Sequence, residues 1–190
     1  MPLNIPNVLT WARIVMIPLF VGILYFPEDW MSPFARNVTA TALFTLAALT
    51  DWLDGYLART LNQMSAFGAF LDPVADKLMV AAALVVLVDL ERTQAVYAFI
   101  IIGREIAISA LREWMAQVGQ SKSVAVNMAG KVKTVAQLVA IPFLLFDDVL
   151  FGLFHTRPVG HVMIWIAAGI TLWSMFVYLK AAWESPPAGQ

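Results

Sequence analysis

The chain has no cysteine, so it can hold neither a disulfide framework nor a thiolate nucleophile. Charge is scarce: 13% of the 190 residues are Asp, Glu, Lys or Arg, against about 25% in an ordinary soluble domain. The charges nearly cancel, to a net −1, which argues against nucleic acid as a partner. There are two histidines, His155 and His161, both read as solvent-facing at or beside a loop. No internal repeat is visible, and the one low-complexity stretch is the polar tail SPPAGQ. What remains is apolar, 61% hydrophobic with a mean hydropathy of +0.76. An integral membrane protein of one domain is the economical reading.

Residues 1–12 contain Asn4, Pro6, Asn7 and Thr10, too polar and interrupted to span, and read as a short interfacial helix. It leads into a first span over 13–26, which with its lead-in reaches the ~20 residues a bilayer needs. Five more apolar stretches follow, over 33–60, 66–90, 94–116, 124–146 and 158–183. Turn and charge signals separate them: PEDW, TLNQMS, DLERT, QVGQSKS and DDVLFGLFHTRP. The expected fold is all-α and integral to the membrane, six transmembrane helices preceded by the interfacial helix. It forms one catalytic domain over 1–184, with 185–190 as a disordered tail. Six spans leave both termini on one side. If that side is the cytoplasm, nine cations (Arg13, Arg59, Lys77, Arg104, Arg112, Lys122, Lys131, Lys133 and Lys180) fall in the inner half, against Arg36, Arg92 and Arg157 in the outer.

Four aspartates interrupt the apolar sequence within 26 residues: Asp51, Asp54, Asp72 and Asp76. A carboxylate in hydrocarbon costs about 3 kcal/mol even on lenient scales, so four together need a cation or a water-filled cavity. On a helix, Asp51, Asp54, Gly55 and Ala58 share one stripe, and Gly68, Asp72 and Asp76 share another. If the stripes face each other, four carboxylates converge, with small residues leaving room for a ligand. Oxygen ligands without His or Cys favour Mg²⁺ or Mn²⁺ over Zn²⁺. Two such ions about 3.5–4 Å apart are the usual arrangement for in-line displacement at phosphorus. Intramembrane acids also serve ion-coupled transporters, but that reading expects repeats and acids near the midplane. Here the acids gather at one interface.

Read from Asp51, the residues fit D-x2-D-G-x2-A-R-x8-G-x3-D-x3-D without a gap. The chain therefore resembles the CDP-alcohol phosphotransferases. The stretches NIPNVLTWAR, FGAFLDPVADK, GREIAISALREWMA and SVAVNMAGKVKT resemble the bacterial phosphatidylglycerophosphate synthase branch, and together they span most of the chain. The resemblance implies transfer of a phosphatidyl group from CDP-diacylglycerol to sn-glycerol 3-phosphate, with release of CMP, as the first step of phosphatidylglycerol synthesis. It implies that Asp51, Asp54 and Asp72 hold one metal ion, that Asp72 and Asp76 help hold a second, and that Asp76 accepts the proton of the incoming hydroxyl. Asp51, Asp54, Gly55, Ala58, Arg59 and Gly68 would take the CDP-lipid, with Asn7, Thr10 and Ser65 as lesser contacts. A homodimer is usual for this fold, and the charge asymmetry sets the expected site on the cytoplasmic side of the inner membrane.

A second cluster is basic. Arg104 and Arg112 lie eight residues apart on one expected helix, and Lys131 and Lys133 open the next. Two phosphorylated substrates need more positive charge than one, so this group fits an acceptor that is itself a phosphomonoester. Glu105 and Glu113 each follow an arginine and are read as balancing charge. Lys77 is expected to pair with an aspartate or to reach the interface, and Lys122 to anchor it. Within the resembled family the rival acceptors are phosphatidylglycerol and an inositol phosphate.

Overall fold

The computed structural model describes residues 5–60, 66–117 and 128–184. Six helices cover most of them: α1 (Ile5–Leu24), α2 (Pro33–Thr60), α3 (Ala66–Asp89), α4 (Ala95–Gln117), α5 (Met128–Phe146) and α6 (Thr156–Glu184). α2 to α6 coincide with the last five apolar stretches to within a few residues. α2 begins where the sequence indicates because Ser32 Oγ accepts the Ala35 N–H at 3.3 Å while Pro33 fills the first helical position, where no N–H is needed. Ser65, Lys122 and the tail 185–190 lie outside the described residues.

Two local expectations change. The interfacial segment and the first span are one helix, since α1 runs unbroken from Ile5 through Arg13 to Leu24. Pro6 lies in its first turn, where a missing N–H costs nothing. Ahead of α6, a small hairpin pairs β1 (Val149–Leu150) with β2 (Phe154–His155), Val149 opposite His155. Its turn uses left-handed backbone at Phe151 (φ 53°) and Gly152 (φ 71°). His155 is exposed as expected, but His161 is half-buried within α6.

α5 and α6 form the closest pair. A Cβ added at Gly160 would stand 2.7 Å from Leu144 Cγ, so the missing side chain is what admits Leu144. α1 packs on α2 and α3, and α4 on α3 and α6. Phe20 meets Phe44 edge-on at 6.1 Å within the core that these helices share.

One end of the bundle is locked by Arg92, in the turn between α3 and α4. Its Nη1 donates to the carbonyls of Leu145 (2.7 Å) and Leu144 (3.3 Å), and its Nη2 donates to Asn37 Oδ1 at 2.8 Å. Its Nε lies 3.3 Å from Asp147, which also faces Arg157 at 3.6 Å. Burial pulls the Arg92 pKa below the ordinary arginine value, and Asp147 opposes that. The guanidinium thus serves the carbonyls that the end of α5 leaves over. Because α1, α3 and α5 run towards this end and α2, α4 and α6 away from it, the four aspartates and the basic residues of α4 and α5 collect at the opposite one.

Large apolar side chains face outward while several polar ones are buried with the apolar core. Arg13, Thr171 and Ser174 are buried, whereas Phe99, Trp173 and Phe176 are each more than 60% exposed. By length and apolar composition, one helix among the described residues is long enough to cross a membrane, over Thr156–Lys180. Val8–Leu24 and Val132–Phe146 are shorter apolar helices.

Candidate active site

α3 brings the second pair of aspartates to its first turns. Gly68 is buried, and Asp72 and Asp76 follow at one-turn intervals, so both carboxylates stand on one side of the helix. Pro73, inside α3, cannot donate to the carbonyl one turn earlier, which leaves an extra polar backbone group beside them.

α1 meets this pair in register. Thr10 Oγ1 donates to Asp72 Oδ1 at 2.5 Å, and Arg13 Nη1 lies 3.7 Å from Asp76 Oδ1. Thr10 and Arg13 are buried, but half of the Asp76 side chain is open. Asp72 therefore accepts a hydrogen bond from α1, and Asp76 has a cation of α1 beside it.

α2 delivers Asp51, Asp54, Gly55, Ala58 and Arg59 in its last turns, at the same end of the bundle. Their side chains, and those of Asn7 and Lys131, lie outside what the structure describes. Among the described residues, no three acidic, imidazole or thiol groups gather into a metal cage. The described half, Asp72 and Asp76, offers oxygen donors alone, with both histidines at the other end. That donor chemistry fits a hard divalent ion.

Beside Asp76 opens a cavity of about 400 Å³, lined in part by Asp76, Lys77, Arg104, Glu105, Arg112 and Lys133. α3, α4 and α5 each supply part of it. Glu105 Oε1 accepts from Lys133 Nζ and lies 3.3 Å from Arg104 Nη1. Arg104 Nη2 donates to Ser174 Oγ at 3.3 Å, and its Nε is buried with no hydrogen-bond partner among the described residues. The cavity thus joins one acid of the aspartate row to three cations of the basic cluster.

The sequence profile of the CDP-alcohol phosphatidyltransferase family matches residues 3–173. The chain belongs to that family. As a CDP-alcohol phosphatidyltransferase it is a transferase, and the family works with a divalent cation and is associated with membranes. Its relatives include a protein of Shigella flexneri serotype 5b (strain 8401), 50% identical over 184 residues, and one of Escherichia coli (strain K12), 49% identical over 184 residues. Each alignment covers 96% of both chains, and both relatives are named CDP-diacylglycerol–glycerol-3-phosphate 3-phosphatidyltransferase.

Three members of this CDP-alcohol phosphatidyltransferase's site went unassigned at the sequence level. Arg13 counted as an inner-side charge rather than as the neighbour of Asp76. A buried cation three residues beyond Thr10 in an otherwise apolar helix was the available signal. Ser174 and Tyr178 of α6 carry none, because their partners are some 70 residues away.

Proposed function

We propose that this chain transfers the phosphatidyl group of CDP-diacylglycerol to sn-glycerol 3-phosphate, yielding phosphatidylglycerophosphate and CMP. The observation that carries the reading is the cavity shared by Asp76 and the basic cluster. A base must lie within reach of the acceptor's hydroxyl while cations hold its phosphate. A three-carbon phosphomonoester suits about 400 Å³, near the lower end of the range for small-molecule sites. Arg104, Arg112 and Lys133 set against Glu105 leave two positive charges, matching a phosphate dianion, and the spare Arg104 Nε is a donor for one of its oxygens.

In the reaction, the free primary hydroxyl attacks the phosphorus that carries the diacylglycerol. The new P–O bond forms as the bond to the CMP oxygen breaks, and Asp76 takes the hydroxyl proton. Asp51, Asp54, Asp72 and Asp76 would hold two Mg²⁺ or Mn²⁺ ions, which supply charge neutralisation on the pyrophosphate. Thr10 fixes Asp72, and Arg13 restrains one oxygen of Asp76. Gly55, Ala58, Arg59 and Gly68 take the nucleotide, with Asn7, Thr10 and Ser65 at its margin, and Lys131 adds to the acceptor cluster.

The setting is a multi-pass membrane protein of six spans, with termini and site on the cytoplasmic side of the cell membrane, working as a homodimer. Exposed Phe99, Trp173 and Phe176 favour lipid around the bundle. Cations concentrated at the site end agree with that orientation.

The test is CMP release by detergent-purified protein given CDP-diacylglycerol and Mg²⁺, with glycerol 3-phosphate, inositol phosphate, serine or phosphatidylglycerol supplied singly. Release with glycerol 3-phosphate alone is expected. Release with another acceptor instead moves the chain to a different branch of the family, and silence with all four, from folded protein, removes the reading.

A further inference from the structure

Two cations of the acceptor cavity converge on one ring. The guanidinium carbon of Arg104 lies 5.6 Å from the centroid of Tyr178, and that of Arg112 lies 5.8 Å from it. Eight residues of α4 separate the two arginines, about 12 Å along the helix axis, yet both heads return to the same side chain of α6. Tyr178 is buried, at 5% exposure, and is not part of the cavity wall. One turn earlier, Ser174 is fixed by donating to the Thr171 carbonyl at 3.0 Å while it accepts from Arg104. α6 thus meets α4 through a hydroxyl and an aromatic face, and both act on guanidinium groups.

Such contacts do more than fill space. An arginine side chain is long and flexible, and a π-face attracts its planar head and limits its rotamers. Two guanidinium groups held near one phosphate site also repel each other. A ring that both can stack on offsets part of that repulsion before any anion arrives. Preorganisation of this kind lowers the cost of ordering the site on binding. Arg112 gains most, because it is otherwise exposed.

We propose that Tyr178 is a positioning residue for the acceptor. It touches no substrate, but it sets the spacing of Arg104 and Arg112 and so governs capture of the phosphomonoester group. This rests on the reading of the cavity as the acceptor site.

The experiment compares Tyr178→Leu, Tyr178→Phe and Arg104→Ala by steady-state kinetics, varying glycerol 3-phosphate and CDP-diacylglycerol separately. Loss of two cation–π contacts is expected to raise the acceptor KM about tenfold in Tyr178→Leu, with the CDP-diacylglycerol KM within twofold of the parent. Tyr178→Phe, which keeps the ring, should restore the acceptor KM. The donor KM reports whether the leucine variant is folded. An unchanged acceptor KM in Tyr178→Leu, beside a raised one in Arg104→Ala, overturns the positioning role and leaves the acceptor site standing. Equal rises in both KM values, or a phenylalanine variant as impaired as the leucine one, also overturn it. If Arg104→Ala itself leaves the acceptor KM unmoved, the acceptor reading falls and takes this proposal with it.

Discussion

Thr10 on α1 donates its hydroxyl hydrogen to Asp72 on α3 across 62 residues of sequence, at 2.5 Å. The bond engages one of the two carboxylate oxygens, Oδ1. Partners of this kind behind a metal-binding carboxylate tune its geometry and basicity.

Thr10→Val, which keeps the shape and removes the donor, is expected to raise the Mg²⁺ or Mn²⁺ concentration for half-maximal activity about 10-fold or more. Metal titration of the variant checks this. A half-maximal concentration within twofold of the parent would place Thr10 outside the metal's support.

Asp76→Asn removes the group we propose as proton acceptor and metal ligand but keeps the side chain's size. Turnover should fall by at least about 10²–10⁴-fold, the range that a positioned base supplies, while CDP-diacylglycerol binding persists. CMP release and equilibrium binding of the CDP-lipid, measured on the same preparation, separate the two. Near-normal turnover would show that another group takes the proton.

At the far end, Arg92→Ala leaves the last carbonyls of α5 and Asn37 without this donor, and Asp147 with Arg157 but not Arg92 beside it. Breaking a partly buried charged network of this size should cost about 2–4 kcal/mol. A lowered Tm in detergent is expected, with KM values unchanged in the fraction that stays folded. An unaltered Tm would mean that water replaces the guanidinium at no cost.

Gly160→Ala tests the α5–α6 contact. The added Cβ would stand 2.7 and 2.8 Å from two Leu144 side-chain atoms and 3.3 Å from its backbone nitrogen, and Leu144 is fully buried. Overpacking of about 1–3 kcal/mol is expected, read as a fall in Tm. A variant as stable as the parent would show that the two helices can separate slightly.

Helix positions were legible because their signals are local. Ser32 and Pro33 mark the start of α2, and charged turns separate the apolar runs on either side. The aspartate row was legible because a carboxylate in an apolar helix demands an explanation. The partners of Thr10 and Arg13 were not legible for a related reason: periodicity cannot tell water from a carboxylate on a neighbouring helix. Arg92, Tyr178 and the β1–β2 hairpin were beyond local reasoning. Arg92 serves carbonyls 52 and 53 residues away, Tyr178 meets arginines on another helix, and the hairpin turns at Phe151 in left-handed backbone, a conformation that phenylalanine does not advertise.

The pairing of Arg13 with Asp76 also bears on how the protein is made. Thr10 and Arg13 leave the ribosome some 62 residues ahead of the carboxylates they meet, a lag of about 3–12 seconds at ordinary translation rates. Throughout that interval α1 is an apolar helix carrying a guanidinium whose facing carboxylate has not yet been synthesised. The two contacts that tie α1 to α3 can therefore form only once α3 has been made, so the seat of α1 against its neighbour is settled later than its own synthesis.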